Sequence, residues 1–290
     1  MEEVIETLKN ADTITTSVKR ENLKYLVPVI LKAWGDDPCT GKAIICCENV
    51  ENVGIYFKNL LMEQCSEKQK ENIQKIRIPN TIVDRICSMN SEDMTIVSEE
   101  FHELSVDKNV LSETGIEYIN SIDNVEGHFY RKRYLLNSYA DAISFLAKKE
   151  GLTYLYEAAQ NDKINEQIKP YMELLKDLLH ERYHISKEEL EQWQEIYRKR
   201  LQNDKIPREL TTVARNLWEK LTVEERFVKP LIQLLEMKKD IAEGAKFIKK
   251  LIECGTEDEE LSQIKEKLME IWNVCPEGEI LFNMIDKISD

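Results

Sequence analysis

Residues 131–147, RKRYLLNSYADAISFLA, put Lys132 and Asn137 near the start of a segment whose apolar residues recur at helical spacing. At about 100° per residue the two lie roughly 140° apart, on adjoining faces of an α-helix. A Lys in a mostly apolar setting can act as a base near neutrality, because burial disfavours the ammonium, and an amide beside it can orient a hydroxyl. The plainer reading of such a Lys is a solvated surface cation.

Two other stretches invite chemistry. HERYH, from His180 to His184, fits H-E-x-x-H, which on a helix sets two imidazoles one turn apart for zinc. That site needs both His inside a rigid helix and a third ligand. Ser186 followed by Glu189 is an S-x-x-E start signal, so His184 falls at a helix end or in the turn after it. His102 and His128 have no ligand spacing, which leaves only Glu188, Glu189 or Glu191 as a third ligand. Two surface His near a helix C-terminus are the expectation, and no metal is expected. The second stretch, TGKA at residues 40–43, precedes a strand and ends in Ala, so it is not a phosphate-binding loop.

The elements that must position such residues fall into two textures. Over residues 1–127, β-type runs alternate with helical ones. Residues 11–18 (ADTITTSV) read as a strand, 22–34 as a helix, 43–47 (AIICC) as a strand covered on both faces, and 53–64 as a helix. This βαβα rhythm predicts a parallel sheet with covering helices. Residues 80–87 and 94–104 read as β segments that need not be parallel. From 128 to 290 the chain reads as helices over residues 131–149, 153–159, 164–182, 187–202, 207–221 and 223–237, with more to the C-terminus. Gly151 and the region near Gly255 are the expected breaks. The fold class is therefore α/β plus all-α: an α/β domain, 1–127, and an α-helical domain, 128–290.

Composition bounds the function. The net charge of −14 and the pI near 5.0 argue against nucleic acid or an anionic membrane as the main partner. The seven Cys are irregularly spaced, with no C-x-x-C, and the N-terminus is acidic and amphipathic. These features predict free thiols and a cytoplasmic protein with no membrane span.

The segment around Lys132 resembles the K-x4-N-x2-H motif of the mannitol-1-phosphate 5-dehydrogenase group of long-chain polyol dehydrogenases. Arg131, Lys132, Asn137 and AISFLA match it in order. TTSV (15–18), IICCENV (44–50), VDRI (83–86) and RLQN…VARNLWEKLTVEERFVKPL (200–231) resemble other family stretches, in order along the chain. The resemblance implies a dinucleotide-binding domain followed by a helical substrate domain, and hydride transfer between NAD and a polyol or polyol phosphate. It casts Lys132 as base, Asn137 as the group orienting the hydroxyl, and Arg215 as the contact to substrate phosphate. Arg226 and Lys229 also match. Ser17, Val18, Glu48 and Asn49 would face the nicotinamide end of NAD, opposite Lys132 and Asn137. His184 falls where the family has the Gly of a turn.

Two departures stand out. At the motif's His position is Ala140; Tyr139, seven residues from Lys132, is the candidate substitute, and Asp141 follows. No G-x-G-x-x-G turn occurs, so ADTITTSV would be the first strand of a partial, second-half Rossmann-like sheet with one bare edge. A separate chain covering that edge, or a homo-oligomer, is the implied partner beside the polyol phosphate. The alternatives are a catalytically inactive relative serving sugar-phosphate binding or assembly, and a zinc peptidase.

Overall fold

The computed structural model describes residues 2–36, 38–89, 93–256 and 259–288. The chain divides into two compact units, residues 1–86 with 99–129, and residues 87–98 with 130–290.

The first unit opens with α1 (Glu2–Asn10), acidic in its first turn and basic in its last, which suits the helix dipole. β1 (Thr13–Thr16) carries the β-branched run. A 3₁₀ turn over Arg20–Tyr25 leads into α2 (Val27–Trp34), with Pro28 tolerated at its start. β2 (Ala43–Cys46) pairs parallel with β1, from Thr13 opposite Ala43 to Thr16 opposite Cys46. After α3 (Val53–Gln64) and α4 (Lys70–Lys75), Arg77 bridges to Ala43 in parallel, so the chain enters β3 (Thr81–Asp84) beside β2. Thr81 Oγ1 donates to the Cys46 carbonyl at 2.5 Å. The parallel βαβα arrangement expected from the sequence is present.

β2 shows why its four residues are all apolar. Ile44 and Cys46 pack with Leu23, Val27, Trp34 and Phe57, while Ala43 and Ile45 pack with Val106 and Leu111 on the other face. Alternating side chains enter two different cores, so every position is buried.

The expected β segment 80–87 is divided. β3 ends at Asp84; β4 (Cys87–Met89) pairs antiparallel with β5 (Ile96–Ser98), and both fall in the second unit. β6 (Glu103–Asp107) runs antiparallel to β3, and β7 (Asn120–Ile122) parallel to β6. Among the described residues β1 pairs with β2 alone. Asp12 and Thr16 carbonyls serve Ala43 and Cys47 of the β2 side. Because alternate residues of a strand turn their backbone groups to alternate sides, Thr13 and Thr15 present theirs to the outer edge.

The border between the units falls within α5 (Val125–Lys132). The second unit continues through a π turn at Arg133–Ser138 into α6 (Tyr139–Lys148). Residues 139–147 of α6 are all buried, which makes it the central helix of this unit. Around it come α7 (Leu155–Gln160), α8 (Asp162–Tyr183), α9 (Lys187–Leu201), α10 (Leu210–Val213), α11 (Leu217–Lys220), α12 (Lys229–Glu236), α13 (Ala242–Gly255), α14 (Leu261–Trp272) and α15 (Pro276–Lys287). The helices expected over 207–221 and 223–237 are shorter in the structure. Asn216 at φ 54° interrupts the first, and Pro230 sets the start of the second at Lys229. Gly151 at φ 69° lies in the turn after α6, as expected. No helix among the described residues is long and apolar enough to cross a membrane.

Candidate active site

In the first unit, the sequence-predicted residues cluster at the carboxyl ends of β1 and β2. Glu48 is buried, 5% exposed. Its Oε2 accepts from Thr16 Oγ1 at 2.8 Å and its Oε1 from the Val18 N–H at 2.9 Å. The Val18 carbonyl in turn accepts from Asn22 Nδ2. The Glu48 carboxylate is thus turned inward, stapling the two strand ends, while Ser17 and Asn49 are exposed and Val18 is half-buried. Lys19 at φ 68° turns the chain sharply just beyond. Ligands of open α/β sheets bind at such strand ends. Burial pushes the neighbouring Cys46 thiol up to about 12, and burial with the Glu48 charge raises Cys47.

In the second unit, the helix carrying Lys132 departs from the expected α geometry. The π turn replaces i→i+4 bonding by i→i+5 over Arg133–Ser138. Residues five apart then stack much as residues four apart do in an α-helix, so Asn137 comes over Lys132 and the angle expected between them closes. Lys132 is 6% exposed. Asn137 is half-buried, and its side-chain amide has no hydrogen-bond partner among the described residues.

Buried neighbours hold this turn. Arg131 lies over the Trp193 ring at 3.7 Å and donates Nε–H to the Tyr197 hydroxyl at 3.0 Å. The Tyr134 hydroxyl donates to Gln233 Oε1, whose amide donates to the Tyr183 hydroxyl. Ser138 Oγ sits within 3.1 Å of the Arg133 carbonyl and 3.0 Å of the Arg226 carbonyl.

The extra residue in the π turn also re-aims Tyr139. Arg131 meets α9, and Tyr139 lines a recess with Asn165, Gln194 and Arg198 that also borders α9. Tyr139 therefore shares a side with Arg131, and its hydroxyl donates to Asn165 Oδ1. Burial pushes the Tyr139 phenol up to about 12. A phenol whose pKa rises on folding adds stability below pH 10 that is lost as pH climbs through about 12. Urea melts at pH 8 and pH 11 are expected to show a fall for the parent chain and a shallower one for Tyr139→Phe.

Ala140 occupies the motif's His position, and the next residue forms the site's densest charge cluster. Asp141 Oδ1 pairs with Lys220 Nζ at 2.9 Å and its Oδ2 with Arg226 Nη1 at 3.0 Å. Lys229 pairs with Glu224 and stands over Tyr130. Arg215, in the short connection from α10 to α11, is exposed, with no side-chain partner among the described residues. The reach of Asn165 to Tyr139 and of Lys220 to Asp141 left no mark in spacing, since the pairs are 26 and 79 residues apart.

HERYH ends as the start signal at Ser186 implied. Ser186 Oγ accepts from the Glu189 N–H, and α8 stops at Tyr183. His180 Nδ1 lies 2.9 Å from the Ile185 carbonyl, and no group of three His, Cys, Asp or Glu among the described residues could hold a metal ion. His184 is the helix C-cap at φ 57°, a left-handed position that Gly occupies without strain. His184→Gly is expected to stabilise the chain by about 1 kcal/mol, read from its urea midpoint.

A parallel nucleotide-fold sheet followed by a helical domain is the architecture of two-domain dehydrogenases. Two family profiles match, the mannitol dehydrogenase Rossmann domain over residues 1–119 and the mannitol dehydrogenase C-terminal domain over residues 124–270. The chain belongs to the mannitol dehydrogenase family. It is 27% identical over 247 residues to a mannitol-1-phosphate 5-dehydrogenase of Pyrenophora tritici-repentis, covering 81% of this chain and 63% of that protein. It is 28% identical over 243 residues to one of Caldanaerobacter subterraneus, covering 79% and 62%. The alignments thus span about three fifths of these relatives. In fold it is similar to Pseudomonas fluorescens mannitol 2-dehydrogenase, solved with NAD and D-mannitol, at TM-score 0.73 and 13% identity over 99% of this chain and 73% of that one. A D-sorbitol dehydrogenase gives TM-score 0.72 at 14% identity, covering 98% and 74%.

Proposed function

We propose that the chain is an oxidoreductase that exchanges hydride between NAD and a polyol phosphate of the mannitol 1-phosphate class. The observation that carries this reading is the buried Lys132, set by a π turn beside the unbonded amide of Asn137. Lys132 takes the proton of the secondary hydroxyl while Asn137 holds that oxygen. Arg215 offers a two-pronged guanidinium to the phosphate. Tyr139, held by Asn165, backs the helix beside them.

NAD, when bound, supplies the hydride acceptor. Ser17, Val18 and Asn49 fit its nicotinamide end, with Glu48 fixing the turn that carries them. The glycine turn for the pyrophosphate is absent from the sequence. A strand added to the outer edge of β1 would satisfy Thr13 and Thr15, and one that carries a glycine turn would also bring that cradle. Residues 1–127 then act as the cofactor half and 128–290 as the substrate half.

A second reading is a non-catalytic relative that binds sugar phosphates, favoured by Ala140 in place of an imidazole. One experiment separates the two: NADH formation from mannitol 1-phosphate, with NAD binding measured by calorimetry. Turnover supports the first reading. Binding of the sugar phosphate with neither turnover nor NAD binding replaces it with the second.

A further inference from the structure

Asp141 is 6% exposed and holds two cations from distant parts of the second unit, Lys220 and Arg226. Lys220 Nζ does more than neutralise it. The same ammonium donates to the Val213 carbonyl at 2.8 Å and stands over the Phe145 ring, one turn along α6 from Asp141. The Val213 carbonyl also accepts the backbone N–H of Arg215 at 2.9 Å. A continuous path therefore runs from Asp141 through Lys220 to Val213 and the Arg215 backbone.

Buried Leu210, Ala214 and Leu217 hold the flanks of the segment on this path, while Arg215 and Asn216 between them are exposed. The segment spans the last turn of α10, Ala214, Arg215 and the left-handed Asn216, and its neighbour α11 is a single turn. Asp141 also lies four residues beyond Asn137 on the buried central helix. The carboxylate ties the segment bearing the exposed guanidinium to the helix that carries the proposed chemistry.

We propose that Asp141 is the positioning residue for Arg215, fixing its connection against α6 through Lys220 so that the site prefers a phosphorylated polyol over the unphosphorylated one. The inference rests on Arg215 as the phosphate contact. It goes beyond that reading by naming what sets the preference. Losing the anchor lets the Arg215 connection wander, and a two-pronged phosphate contact is lost before contacts to the hydroxyls are.

The test is calorimetric binding of mannitol 1-phosphate and of mannitol to the full chain. The parent chain is expected to favour the phosphate ester, and Arg215→Ala to abolish that preference. Asp141→Asn should weaken the phosphate ester about tenfold and leave mannitol within about twofold. Asp141→Glu, which keeps the charge, should restore most of the preference. With Arg215 already Ala, Asp141→Asn should cost nothing more. Should Asp141→Asn fail to fold, Lys220→Met breaks the same path from its other end and should show the same selective loss.

A variant that weakens both ligands alike, leaves the preference unchanged, or tightens the phosphate ester overturns the positioning role. The Arg215 reading survives that result if Arg215→Ala still loses the preference. An unchanged Arg215→Ala overturns the reading itself, and the positioning role with it.

Discussion

Lys132→Ala is expected to lower kcat for oxidation of the polyol phosphate by about 10²–10⁴-fold, the usual contribution of a positioned general base. The loss should fall on kcat more than on KM, because proton removal belongs to the transition state rather than to binding. The geometry makes the prediction specific. Lys132 is buried, so its amine is not interchangeable with a solvated cation, and the π turn stacks Asn137 over it. Lys132→Arg keeps a long nitrogen-bearing side chain but supplies no base at neutral pH, so it should be as inactive as Lys132→Ala. An unchanged rate in either variant would remove Lys132 from the mechanism. Asn137→Ala should fall between the parent chain and Lys132→Ala, since it takes away orientation but not the proton acceptor.

Glu48→Ala is expected to destabilise the first unit by about 2–4 kcal/mol, because it strands two donors. The Thr16 hydroxyl and the Val18 N–H both donate to that buried carboxylate, and a methyl group accepts from neither. Glu48→Gln should cost much less. Its oxygen still accepts from Val18, and the Thr16 hydroxyl can turn round to accept from the amide. Hydrogen exchange is the suitable readout, since the two units need not unfold together. Amides of β1 and β2 should exchange faster in Glu48→Ala, with those of α6 unaffected. Equal exchange in both strands would show that the carboxylate does not hold them together. Loss of the staple also frees the Ser17–Val18 turn, so nicotinamide binding should weaken alongside stability.

Much of the fold was legible in the chain. The β-branched run TITT and the apolar run AIIC appear as parallel neighbours, and the alternation of AIIC between two cores explains why no polar residue interrupts it. Ser186 and Glu189 announced the start of α9, and that start placed His184 outside a zinc-binding helix. These signals are local. They depend on the pitch of a strand or helix and on a cap within one turn, so the residues that encode them sit next to one another.

The site was legible only in part. The residue types at Lys132, Asn137, Ser17 and Asn49 came from pattern and resemblance; in the structure Lys132 ends α5, Asn137 lies in the π turn after it, and Ser17 and Asn49 follow β1 and β2. What spacing could not supply was direction. An α-helical count placed Tyr139 with Lys132; the π turn inserts a residue, and Tyr139 turns with Arg131 to bond Asn165 instead. Glu48, at a strand end expected to face a ligand, points inward because Thr16 and Val18 offer it two donors.

By itself, then, the order of residues determined the alternation of strand and helix along β1, α2, β2 and α3, the start of α9, and which side chains are chemically competent. Only the tertiary structure decided that one helix widens to i→i+5 bonding and that Asp141 draws Lys220 across 79 residues of chain. The reason is physical. Periodicity is a property of neighbours along the backbone, whereas the aim of a buried polar side chain is set by whichever partner satisfies it once water is gone.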